Sequence, residues 1–140
     1  MAREILFRGK DKDSGRWYYG NYMALNKTTY CVAEDYAAHP DNTEHFIVFD
    51  QMTDWGLPNE HKMVTVDPET VGQFTGALDK NGKRIFEGDV VCVRVRGKDE
   101  YAEVVWYEKS SRFVLEFDTW RSDFDRFYGS DIDVVGNVFN

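Results

Sequence analysis

Cysteine, long apolar runs and basic charge are all scarce in this 140-residue chain, and each scarcity removes a class of protein. The two cysteines, Cys31 and Cys92, stand far apart in no CxxC or metal-ligand spacing. A disulfide scaffold is therefore not indicated, and small buried thiols are expected instead. No apolar stretch approaches the roughly 20 residues that a membrane helix needs. The opening Met1-Ala2-Arg3-Glu4 lacks the basic and apolar blocks of a signal peptide, so a cytoplasmic protein without a membrane partner is expected. Lys and Arg number 17 against 25 Asp and Glu, a net charge of −8, and the pI is near 4.8. That balance argues against general nucleic-acid binding, because neutralising phosphates requires a basic surface. The acids are also too dispersed to imitate nucleic acid: residues 1–70 carry 7 basic and 12 acidic side chains, residues 71–140 carry 10 and 13. No segment sustains a helical period, so helix content is expected to be low.

Aromatics, by contrast, are plentiful at 16%. They favour strands and bring large buried areas, which points to β structure around a bulky core. Glu4 to Arg8 reads as a short strand, Lys10 to Gly15 as a turn, and Arg16 to Gly20 as the returning strand of a hairpin. Trp17, Tyr18 and Tyr19 there are either core or a stacking platform, and without a basic surround the core reading weighs more. Thr28 to Ala33 is expected to be a strand. Glu34 to Glu44, interrupted by Pro40, is expected to be a loop. Phe46 to Phe49 suits a buried strand, Gln51 to Lys62 an exposed loop, and Met63 to Val66 another strand. Asp67-Pro68 carries the signature of an N-cap followed by proline, and predicts one short helical turn before Gly72.

Val71 to Val95 organises the rest of the chain. Asn81-Gly82 is a strong hairpin signal, Arg84 to Phe86 a short strand, and Glu87-Gly88-Asp89 a second turn. A regular strand over Val90 to Arg96 then places Val91, Val93 and Val95 on one face. Gly97 to Glu100 turns the chain, and Ala102, Val104 and Trp106 share a face of the next strand. Phe113, Leu115 and Phe117 share a face of the third. Ile132 to Phe139 is expected to close the set, and Thr119 to Ser130 connects them without a clear pattern. The whole predicts a mainly β, β-rich α+β fold: an N-terminal β-rich region of hairpins over residues 1–70, leading into a C-terminal SH3-like small barrel over residues 71–140, the two sharing one core.

The stretch Gln73-Phe74-Thr75-Gly76-Ala77-Leu78-Asp79-Lys80-Asn81-Gly82-Lys83-Arg84-Ile85-Phe86-Glu87-Gly88-Asp89-Val90-Val91 resembles the signature of the YopX-like family of phage and prophage proteins. Val135 to Phe139 is similar to that family's closing motif, and Ile5 to Arg8 to its opening. Phe74 and Phe86 stand where the family carries tyrosine, which keeps size and apolarity. The resemblance implies a β-rich fold and a phage or prophage source. It brings no activity and no catalytic residues.

Reaction chemistry finds little support in the residues themselves. Counted as a calcium loop from Asp79, the required Gly and Glu positions fall on Arg84 and Val90, so the pattern fails. His39, His45 and His61 fit no compact metal spacing. Asp123 with Asp125, and Asp131 with Asp133, are spaced for one strand face, but polar neighbours and Arg121 and Arg126 suit a solvated surface better. Ser110, Ser111 and Ser122 have no histidine partner in sequence. In the Glu87-Gly88-Asp89 turn, Asp89 is expected to cap backbone N–H groups rather than to hold a cation. No catalytic, cofactor-binding or metal residue is therefore assigned. The expectation is a non-enzymatic protein-interaction module, a phage accessory protein of the host-cell cytoplasm that binds a phage or host protein and forms oligomers. The alternative is a nucleic-acid-associated regulator using Arg94, Arg96 and Arg112 as a local basic strip. Whether Trp17, Tyr18, Tyr19 and Trp120 are core or binding surface is a question for the structure.

Overall fold

The computed structural model describes residues 2–127 and 131–140. The chain divides into two compact units, Leu6–Val71 and Met1–Ile5 with Gly72–Asn140. Both are built from antiparallel strands, and the protein is mostly β. Among the described residues no helix is long and apolar enough to cross a membrane.

In the unit Leu6–Val71, β1 (Phe7–Lys10) and β2 (Trp17–Asn26) form the expected hairpin, with Phe7 opposite Gly20 and Lys10 opposite Trp17. The turn is held by the Asp11 carboxylate, which accepts from the Asp13 N–H at 3.0 Å and from the Ser14 hydroxyl at 3.0 Å. Next in the sheet come β3 (Thr43–Gln51) and β4 (Glu60–Thr65), in the order β4-β3-β2-β1. Ile47, completely buried, is the centre of the inner face; its register partners Tyr22 and Val64 share that face. Gly9 is required here: a Cβ on it would come within 2.8 Å of the Val66 side chain.

Several stretches of this unit depart from the sequence expectation. Thr28 to Val32 is bends and irregular chain rather than a strand, and the segment expected to be a loop contains α1 (Ala33–Ala38) and a 3-10 turn, Pro40–Asn42. Strand propensity lost because these residues have no partner strand. They are held instead by the buried Asn42 amide, which accepts from the Thr28 N–H and donates to the Thr28 carbonyl, both at 2.9 Å. The helical turn expected at Asp67 is also absent. Asp67 begins β5 (Asp67–Leu78), with Pro68 in its opening residues, a position where the missing N–H is tolerated.

In the second unit, the later part of β5 pairs with β6 (Arg84–Phe86), Phe74 opposite Phe86. A five-stranded sheet is formed by β7 (Asp89–Val95), β8 (Lys98–Tyr107), β9 (Arg112–Glu116), β10 (Arg121–Asp123) and β11 (Ile132–Asn137), ordered β10-β9-β8-β7-β11. The expected meander is present, and the last strand returns to the first. The pairings run in an open series from β10 to β11, and no ring closes among the described residues. Val91, Val93, Ala102, Val104, Leu115 and Ile132 form the core with Ile85 and Phe117, the valine face of β7 pointing inward as its alternation requires. Arg96, expected in the strand, is instead in the turn: Arg96 and Gly97 have φ of 52° and 79°, and Val95 pairs directly with Lys98. Part of the patternless connection is ordered as β10 and a 3-10 turn, Phe124–Arg126; its remainder, Tyr128 to Ser130, lies outside the described residues.

The signature stretch works as a pair of clasps. The buried Asp79 carboxylate accepts from the N–H groups of Asn81 (2.8 Å), Lys83 (2.9 Å) and, on β11, Val134 (3.1 Å). Burial alone would raise the Asp79 carboxyl, yet these backbone donors hold it below its usual value. In the second turn the buried Asp89 accepts from the Phe86 N–H at 2.8 Å, as expected of a capping residue. Gly88 sits at φ 90°, its N–H donating to Val104 and its carbonyl accepting from Val138.

Candidate functional site

The second face of the β2-β3-β4 sheet is the unusual surface of the first unit. A solvated face of an antiparallel sheet is ordinarily polar. Register instead places Met23 opposite Phe46 and Met63 opposite Val48 on the face turned away from Ile47, with Leu25 opposite Glu44 beside them. Met63 is 50% exposed, Leu25 42% and Met23 38%, while Phe46 and Val48 between them are half-buried. Glu44 and Asp50 stand at the two ends of the same β3 face, about 20 Å apart at strand rise. The loop joining β3 to β4 adds Met52, Leu57 and Trp55, which is 87% exposed.

The second unit carries a different feature, an open cleft of about 620 Å³ whose walls include Phe74, Trp106, Phe113, Phe124, Arg112 and Asp123. Trp106 packs edge-to-face on Phe113 with centroids 5.1 Å apart. Some of its lining residues are in ion pairs: Arg112 with Asp123 at 3.1 Å, and Glu4 with the Arg84 guanidinium, a pairing that lowers the Glu4 carboxyl.

The residues singled out from the sequence are dispersed. His39 lies on Tyr30 with its Nδ1 2.8 Å from the Asp35 carbonyl, His45 Nδ1 is 2.6 Å from the Tyr22 hydroxyl, and His61 is exposed beside Asp50 at 3.6 Å. Asp125 is exposed while Asp123 is held by Arg112; Asp133 faces Lys80 at 3.6 Å, and Asp131 is exposed before β11. Ser122 donates to the Asp123 carbonyl, Ser111 is exposed in a left-handed conformation, and the buried Ser110 hydroxyl has no partner among the described residues. The Glu87 carboxylate faces the Gln73 N–H at 3.4 Å. Arg94, Arg96 and Arg112 do not form a strip: the first two adjoin the β7–β8 turn, where Arg94 faces Asp99 at 3.8 Å, and Arg112 is opposite Tyr107 at the far end of β8. Cys31 is exposed rather than buried, and Cys92 is half-buried. Of the aromatics in question, Trp17 is half-buried beneath the Arg8 guanidinium, Tyr18 stacks on Phe49, and Trp120 stacks on Phe117 at 4.0 Å; Tyr19 is exposed.

Sequence reasoning missed the apolar sheet face. Met23, Leu25, Phe46, Val48 and Met63 do alternate with other residues in the required period, but a half-apolar strand does not reveal which of its faces is covered.

The model of a family described as YopX protein matches residues 6–140. The fold is similar to the crystal structure of protein EF1440 from Enterococcus faecalis, at 18% identity and a TM-score of 0.52, over 98% of this chain and 94% of that one. No curated protein matches.

Proposed function

Since this chain belongs to the YopX protein family, we propose, from its own surface, that it is a protein-interaction module of phage or prophage origin rather than an enzyme. It works in the host-cell cytoplasm by docking a phage or host protein. The observation that carries this reading is the apolar outer face of the β2-β3-β4 sheet, where Met23, Leu25, Phe46, Val48 and Met63 occupy positions that water would ordinarily face. Covering such a surface is favourable by about 25 cal/mol per Å² of apolar area, and methionines let one surface adapt to its partner. A helix is the natural second layer on a sheet. With Glu44 and Asp50 about 20 Å apart at its two ends, the face suits an amphipathic helix of about 13 residues, at 1.5 Å per residue, carrying a basic residue near each end. Self-association belongs to the same reading as the case in which a second copy supplies the cover.

The test is site-specific photo-crosslinking in cells that express the protein with its phage. A crosslinker at Met63 is expected to trap one discrete species, and Met23→Lys to abolish it. An absent product, or one that persists in the Met23→Lys variant, counts against the reading.

A further inference from the structure

At the β7–β8 end of the second unit, the core-facing side of the sheet runs out beyond Val93 and Ala102 and is continued by Val95, Lys98 and Glu100. There the surface sinks into a concavity of about 460 Å³ lined by Val95, Arg96, Lys98, Glu100, Trp120 and Arg126. Three cations and one carboxylate thus line the same concavity, in a protein whose net charge is −8. Among the described residues none of the three cations has a salt-bridge partner. Neighbouring Arg94, in contrast, faces Asp99 and donates to the Gly97 carbonyl.

Two details favour a binding role for the cluster. Arg126 is braced: its guanidinium lies 5.1 Å from the centroid of Trp120, which is itself stacked flat on Phe117 at 4.0 Å. An arginine resting on a ring in this way gives up less freedom on binding. Arg96 occupies the first central position of a turn whose two central residues both have positive φ. Asn, Asp or Gly serve that turn best, so nothing in the backbone calls for an arginine at this position.

We propose that this concavity binds a phosphomonoester. A terminal phosphate carries about −1.5 to −2 charge near neutral pH and presents three acceptor oxygens. That matches three cations offset by one carboxylate, and the fork of arginine donors fits phosphate oxygens. The ester comes either from a free small molecule or from the 5′ end of a nucleic acid, and both present the same group.

Isothermal titration at low ionic strength tests this with inorganic phosphate, adenosine 5′-monophosphate, and one oligonucleotide with and without its 5′-phosphate. Saturable binding of the phosphorylated probes is expected, weakened at least about tenfold by Arg96→Gly and by Arg126→Ala and unchanged by Arg94→Ala. Arg96→Gly suits the turn conformation, so binding lost at unchanged thermal stability is not misfolding. Equal affinity for the mononucleotide and the 5′-phosphorylated oligonucleotide identifies a small ester as the ligand; a tighter oligonucleotide identifies a nucleic-acid end. The proposal is overturned by no binding, by binding that survives both variants, or by an oligonucleotide that binds equally without its 5′-phosphate.

Discussion

Replacing Asp79 with alanine is expected to be among the most damaging single changes to the second unit. Its carboxylate gathers three backbone N–H groups and, through Val134, is one of the links by which the turn before β6 grips β11, beside the Lys80 N–H donating to the Ile132 carbonyl. Hydrogen bonds to a charged group are worth about 1.5–3 kcal/mol each. Asn81 and Lys83 are exposed, so water can replace much of two of them, whereas the Val134 N–H lies in a half-buried strand. The total loss is about 3 kcal/mol, which lowers the melting temperature by about 10 °C for a chain of this length. Asp79→Asn keeps one acceptor and is expected to lose about half as much. The assay is urea unfolding of both variants, with the slope compared with wild type to check that the unfolded reference is unchanged. The pH dependence supplies a second arm. The folded-state pKa of Asp79 is depressed, so its contribution is fully present above the unfolded value of about 3.9 and is lost as pH falls through the folded value. The acid limb of the stability profile should therefore be shallower in Asp79→Asn. An alanine variant within about 0.5 kcal/mol of wild type refutes the clasp.

Glu103 provides the opposite sign. Burial, and then the Glu116 carboxylate directly across the strand pair, raise its pKa. The folded protein therefore binds this proton more tightly than the unfolded chain, and the associated stability falls as pH rises from about 4.3 through the folded value. Glu103→Gln is expected to stabilise the protein at neutral pH by up to about 1 kcal/mol and to make no gain below about pH 4, read from urea midpoints at both pH values. Two glycines separate strain from collision. Gly76 and Gly88 both have positive φ, but a Cβ at Gly76 meets nothing within 4 Å whereas one at Gly88 comes 2.8 Å from the Phe139 ring. Gly76→Ala should cost about 1 kcal/mol and Gly88→Ala about 2–3 kcal/mol; equal thermal shifts would show that the ring moves aside freely.

The parts of the fold readable in the sequence are those set by local backbone chemistry. Asn81-Gly82 and Glu87-Gly88-Asp89 declare their turns, and the alternation of Val91, Val93 and Val95 declares the buried face of β7. Pairing partners are a longer-range matter, and two stretches depart from expectation for want of that information. Thr28 to Val32 has strand composition but no strand beside it, while Asp67-Pro68 has helix-start composition but lies alongside β1, where the Lys10 N–H donates to the Thr70 hydroxyl at 2.9 Å. The surfaces were the least legible. Arg94, Arg96 and Arg112 are close in sequence pattern yet spread over the two ends of β8, whereas Arg126 joins Arg96 only because the chain after β9 returns past Trp120. The apolar face of the first unit depends on register between three strands, which no single segment encodes.

The proposed function requires that the β2-β3-β4 face be covered by another protein. The most direct measurement places a photo-crosslinker at Met63, and separately at exposed Tyr101 in the other unit, in phage-bearing host cells. One discrete product is expected from Met63, lost with Met23→Lys and absent from Tyr101. Equal labelling from both positions, or none from Met63, would contradict it.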